Sequence, residues 1–189
     1  LISSNSRVAS KPFQNPVISS GVALLLKSLA SVKGFFGITK TCIGHKGLAL
    51  GQALDLEYEN KKLSKNKILD MYSRKTGKLF EFSFAAPFIL KDKSKIDIQF
   101  AKDYGMLFGL IFQIIDDLID EIGTFKKIGK TPGKDVEQGK STLLKLIGEK
   151  QVTDLCNNKI NTFIKKYKNK INQNPILIKM LKFGMGRLN

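Results

Sequence analysis

The chain has 189 residues, 42% of them hydrophobic and 25% charged, with a formal net charge of +16. This excludes a disordered, collagen-like or low-complexity chain and suits one compact domain that buries roughly 70% of its unfolded surface. Two distant cysteines, Cys42 and Cys156, and one histidine, His45, argue against a disulfide scaffold, a zinc site or Ser-His-Asp chemistry.

In chain order, residues 1–18 are polar with Pro12 and Pro16, and read as a helix end followed by a loop. From Ser19 the apolar positions Val22, Leu25, Leu26 and Leu29 recur at helical spacing. Glycines 34, 37, 44, 47 and 51 follow, and this stretch is either a loop or a helix approached closely by a neighbour. Residues 63–90 read as a helix that Pro87 kinks or ends. A charged linker, 91–96, leads to a second strong helix over 98–122, stopped at Gly123. Residues 125–139 form a Gly/Lys loop, then helices are expected over 141–148, 152–167 and after Pro175. No alternating strand pattern occurs, so the fold class is all-α. No apolar run reaches the roughly 20 residues that a helical membrane span needs.

The positive charge does not read as a nucleic-acid surface. Lysine supplies 29 of the 32 basic residues, and only Arg7, Arg74 and Arg187 offer the bidentate fork that base and phosphate readers favour. The lysines are dispersed and most read as solvated charge. The acidic residues are unevenly placed: none precedes Asp55, so any metal site draws its carboxylates from the later part of the chain.

Four segments carry chemistry. In Gln113-Ile-Ile-Asp116-Asp117-Leu-Ile-Asp120, the polar residues lie three and four apart and form one stripe on an otherwise apolar helix. Such a stripe faces either solvent or a hard divalent cation, since burying carboxylates without counter-ions costs several kcal/mol each. Lys75-Thr76-Gly77 places a cation beside a hydroxyl, which can hold a phosphate or simply be exposed. The loop from Gly129-Lys130 through Gly133-Lys134-Asp135 to Gly139-Lys140-Ser141-Thr142 combines close backbone approach with positive charge. It is not a P-loop: five residues instead of four separate Gly133 from Gly139, and an acidic helix precedes it. Gly51-Gln52-Ala-Leu-Asp55-Leu56 closes the glycine-rich stretch and says little alone.

Together and in this order, G-Q-x-x-D-L, K-T-G, Q-x-x-D-D-x-x-D and G-K-x-x-G-K-D-x-x-x-G-K-S-T resemble the trans-prenyl diphosphate synthases, the farnesyl and geranylgeranyl diphosphate synthase family. The resemblance implies an isoprenoid-synthase helical bundle around a central cavity, with residues 1–189 as one polyprenyl synthetase domain. It implies magnesium on Asp116 and Asp117 with Asp120 in support. Lys75 and Lys130 would bind the allylic diphosphate, and Thr76 and Gln113 would flank the ionising C–O bond. The implied reaction is loss of diphosphate, attack by isopentenyl diphosphate and proton loss, in a cytoplasmic homodimer that neither binds nucleic acid nor inserts stably in membranes. The family's first aspartate-rich motif has no counterpart here, so the chain is expected to match roughly the C-terminal two thirds of a synthase, as a fragment or truncated form. The alternative is a non-catalytic helical subunit that pairs with a synthase-like partner.

Overall fold

The computed structural model describes residues 16–122 and 141–185, and within them every regular element is helical. The elements are α1 (Pro16–Ile43), α2 (Leu48–Glu57), α3 (Lys65–Tyr72), a π-helical turn (Ser73–Gly77), α4 (Lys78–Leu90), α5 (Lys95–Ile122), α6 (Leu143–Lys166), α7 (Lys168–Gln173) and α8 (Ile176–Met185).

The glycine-rich stretch divides. Gly34 and Gly37 stay inside α1, and only the turn around Gly44–Gly47 is a loop. The helical run expected over 63–90 starts at Lys65, where the Ser64 hydroxyl accepts a hydrogen bond from the Lys67 N–H. It continues past Pro87, which lies inside α4 within one turn of its end. The charged linker is shorter than expected because Ser94 caps α5, its hydroxyl accepting from the Asp97 N–H at 3.1 Å. The helices expected over 141–148 and 152–167 are both present and meet at Gly148. There φ is +77°, a left-handed conformation that glycine adopts without a Cβ clash. The polar α7, K-N-K-I-N-Q, is an addition that apolar periodicity did not reveal. The helix end and loop expected over 1–18 give way to α1 from Pro16, three residues before the apolar pattern starts at Ser19; residues 1–15, the Gly123 stop and the Gly/Lys loop expected over 125–139 lie outside the described residues.

α5 is the central helix. Leu107, Leu110, Ile111, Ile114, Ile115 and Leu118 are all buried, which explains why its sequence is apolar on most sides. α4 runs antiparallel along it at short range. A Cβ on Gly105 would lie 2.4 Å from the Phe80 carbonyl oxygen, and one on Gly109 would lie 2.8 Å from Gly77 Cα. Phe80 and Phe84 pack on Phe108 and Tyr104 around this contact. α6 covers another side with Val152, Cys156, Ile160 and Phe163. α8 closes that core, where Tyr104 donates to the Leu177 carbonyl at 2.9 Å. A second cluster of Ile38, Cys42, Ala85, Ile89 and Ala101 joins α1, α4 and α5. Burial pushes the Cys156 thiol up to about 11. Burial, with Glu81 alongside, does the same at Cys42. Both cysteines therefore act as core residues, not thiolate nucleophiles.

Candidate active site

Two close backbone contacts build the site. In the first, Gly51 of α2 presses on the π-helical turn: an added Cβ would sit 2.2 Å from the Lys75 nitrogen. Only glycine permits that approach. In the second, Gly77 and Gly109 let the same turn lie directly on α5. The π-turn closes with the Lys78 N–H bonding the Ser73 carbonyl, one residue further back than in an α-helix. It widens the helix at Lys75 and Thr76, the two positions expected to meet a phosphate.

Thr76 Oγ1 donates to Gln113 Oε1 at 2.6 Å, and Gln113 Nε2 donates to Asp117 Oδ1 at 2.8 Å. The buried Tyr72 hydroxyl donates to the other carboxylate oxygen of Asp117. Lys75 Nζ donates to Asp55 Oδ2 at 2.6 Å, with side chains 20% and 14% exposed. The N-terminus of α6 completes the wall: Thr142 caps it by accepting from the Lys145 N–H, and its hydroxyl donates to Glu121 Oε2 at 3.1 Å. Asp55, Lys75, Gln113, Asp117, Ser141 and Thr142 line one cavity of about 20 Å³, room for about one water.

Lys75, Thr76, Gln113 and Asp117 therefore converge. Asp116 lies on the adjoining side of α5, on a groove shared with Phe112, Ile119 and Leu181. Asp120 is buried one turn further on. Lys130 is outside the described residues. Among the described residues, no three His, Cys, Asp or Glu side chains come together in a way that could hold a metal ion. Magnesium suits this donor set in a different manner, since it takes one or two carboxylates and completes its shell with water and substrate phosphates.

Two participants escaped the sequence reading. Asp55 was signalled by the G-Q-x-x-D spacing, since Gly51 and Asp55 are four apart and share a helix face. Tyr72 had no such signal, because a tyrosine at an apolar helix position reads as core. Between α5 and α6, Met106, Leu107, Leu110 and Phe163, together with Asp103, Lys159 and Lys166, line an open groove of about 450 Å³ that starts beside Gly77. No described helix is long and apolar enough to cross a membrane.

Known proteins resemble this chain in sequence and in fold. The polyprenyl synthetase family model matches residues 17–181. A farnesyl diphosphate synthase of Micrococcus luteus is 34% identical over 123 residues, which is 65% of this chain and 42% of that protein. A short chain isoprenyl diphosphate synthase of Methanocaldococcus jannaschii is 35% identical over 107 residues, 57% of this chain and 32% of that protein. The chain thus spans well under half the length of these curated relatives. The crystal structure of a Thermotoga maritima geranyltranstransferase matches with a TM-score of 0.56 at 31% identity, covering 90% of this chain and 57% of that one. A Helicobacter pylori geranyltransferase complexed with magnesium and isoprenyl diphosphate matches with a TM-score of 0.67 at 22% identity, covering 91% and 59%, a likeness of fold. With the family model matched over most of its length and the helical bundle shared with solved synthases, the chain belongs to the polyprenyl synthetase family.

Proposed function

We propose that the chain takes part in the condensation of an allylic diphosphate with isopentenyl diphosphate, as a short-chain prenyl diphosphate synthase. The observation that carries this is the convergence of Lys75, Thr76 and Gln113 on the Asp117 side of α5. Lys75 supplies positive charge for a leaving diphosphate. The oxygens of Thr76 and Gln113 supply partial negative charge for an allylic cation, held where no dipole needs to reorient. Asp116 and Asp117, with Asp120 behind them, are the residues that would hold magnesium; the ion would neutralise diphosphate charge. Lys130 is proposed as a second diphosphate ligand. The open groove at Met106, Leu107, Leu110 and Phe163 offers apolar surface for a hydrocarbon tail, with Asp103, Lys159 and Lys166 also lining it.

The residues 1–189 are proposed to act as one domain, working in the cytoplasm as a homodimer. Support for a second copy comes from α1, which exposes Leu29, Val32 and Phe36 along one side. No observation favours the alternative of a non-catalytic subunit.

The test is incubation of the purified chain with an allylic diphosphate and labelled isopentenyl diphosphate, with and without magnesium, followed by extraction of the lipid product. Magnesium-dependent product that Lys75→Ala lowers by about 10²-fold is expected. Absence of both product and pyrophosphate binding would sink the proposal.

A further inference from the structure

The Gly51-Gln52-Ala-Leu-Asp55 segment has no part in the reaction proposed above, yet it touches the site at two points. We infer that Asp55 is a positioning residue: it holds the Lys75 ammonium at the cavity wall and keeps it off Asp117. This inference rests on Lys75 being a diphosphate ligand.

Three observations support it. First, the contact at Gly51 fixes the α2 backbone against the Lys75 backbone itself, where an added Cβ would come within 2.2 Å of the lysine nitrogen and 2.5 Å of its Cα. Asp55 stands one turn further along the same face, so the carboxylate and the lysine stem have a fixed common origin. Second, the Nζ to Oδ2 distance is 2.6 Å, and both side chains are largely shielded from water. Asp55 takes one of the three ammonium protons and leaves two for phosphate oxygens. Third, Lys75 and Asp117 line the same small cavity. A lysine released from Asp55 has Asp117 as the nearby carboxylate in that cavity. Pairing with it would remove a cation from the diphosphate and a carboxylate from magnesium together. Asp55 also brings a negative charge that repels an anionic ligand, so its charge and its geometry act in opposite directions. The inference is that geometry wins.

Two substitutions separate these effects. Asp55→Asn keeps an acceptor in place and removes the charge. Asp55→Glu keeps the charge and displaces it by one methylene. The readout is calorimetric titration of the chain with inorganic pyrophosphate in excess magnesium chloride, with melting temperatures as the check on folding. Wild-type binding should be lost in Lys75→Ala. Asp55→Asn should stay within about threefold of wild type and Asp55→Glu should weaken binding by about tenfold, a difference of roughly 1.4 kcal/mol. Equal affinities in both variants, or the reverse order, overturn the positioning role. If wild type binds no pyrophosphate, or Lys75→Ala binds as well as wild type, the reading of Lys75 fails and this inference with it. Binding that depends on Lys75 but ignores Asp55 overturns this inference alone.

Discussion

Lys75–Asp55 and Lys166–Asp103 are ion pairs of the same length, 2.6 Å, and they differ in exposure and in the partners of their carboxylates. The inner pair has side chains 20% and 14% exposed and forms part of a cavity wall. The outer pair is 60% and 26% exposed, and its carboxylate also accepts from Gln99 and Tyr167. Lys166 lies over the Tyr167 ring, 5.0 Å from its centre. The outer carboxylate is filled by donors from α5 and α6 and fastens one helix to the other. In the proposed function the inner lysine keeps protons for a ligand. Distance alone does not distinguish the two pairs, and neither does a neighbouring cavity, since Asp103 and Lys166 also line the groove of about 450 Å³; the shielding of the lysine and the filling of the carboxylate do.

The largest expected effect comes from breaking the inner region at its backbone. Gly51→Ala puts a methyl group 2.2 Å from the Lys75 nitrogen, which no side-chain rotation relieves. Overpacking of this kind costs about 3 kcal/mol, or on the order of 10 °C in melting temperature for a chain of this size. Calorimetric unfolding should show it, together with loss of pyrophosphate binding. A change below about 1 kcal/mol would mean that α2 shifts freely and that the inner pair is not rigidly held.

Next comes the dipole network. Gln113→Leu preserves volume but removes the acceptor for Thr76 and the donor to Asp117. Turnover should fall by about 10²-fold, with a melting temperature close to wild type. A fall in stability matching the fall in rate would make Gln113 a core residue instead. A smaller effect sharpens the contrast among the glycines. A methyl group added at Gly37 would meet nothing within 4 Å, so Gly37→Ala should stabilise α1 by about 0.5–1 kcal/mol. Thermal unfolding of the two alanine variants side by side separates a glycine required by contact from one that is merely tolerated.

These two glycines also show how far the sequence could be read. Their run was open to a loop or a helix, because glycine weakens a helix whether or not a neighbour presses on it. Close approach depends on a partner far away in the chain, such as Lys75 for Gly51. α5 was legible because burial on most sides leaves an apolar circumference with one polar stripe. The stripe's four polar residues were legible as a set, but their division was not. Asp117 reaches the cavity and Asp116 the adjoining groove, because α2, the π-turn and α6 stand on one side of α5 and α8 on the other. The π-turn changes the register by one residue without a composition of its own, so residues 63–90 read as an ordinary helix. Tyr72 shows the same limit: its hydroxyl partner is 45 residues away.

The smallest expected effect belongs to the outer region and appears only in acid. Burial alone would raise the Asp103 carboxyl, but hydrogen bonds from Lys166, Tyr167 and Gln99 outweigh it and hold the group below its ordinary value of 3.8. The folded chain therefore binds this proton less readily than the unfolded chain does. The stabilisation is fully present above the unfolded value near 3.8 and is lost as pH falls through the lower folded value. Asp97 shifts in the same direction, first through the hydrogen bond from Lys170 and then through Ser94. Asp103→Asn should leave urea unfolding at pH 7 within about 1 kcal/mol of wild type, as exposed pairs usually do. Below pH 4 the variant should lose stability less steeply than wild type, since it has one fewer carboxylate to protonate. Parallel acid limbs would mean that Asp103 is not held below its ordinary value and that the outer network does not fasten α5 to α6. A shallower limb with pyrophosphate binding unchanged at pH 7 would show that the two ion pairs are energetically separate, although α5 and α6 contribute to the surroundings of both.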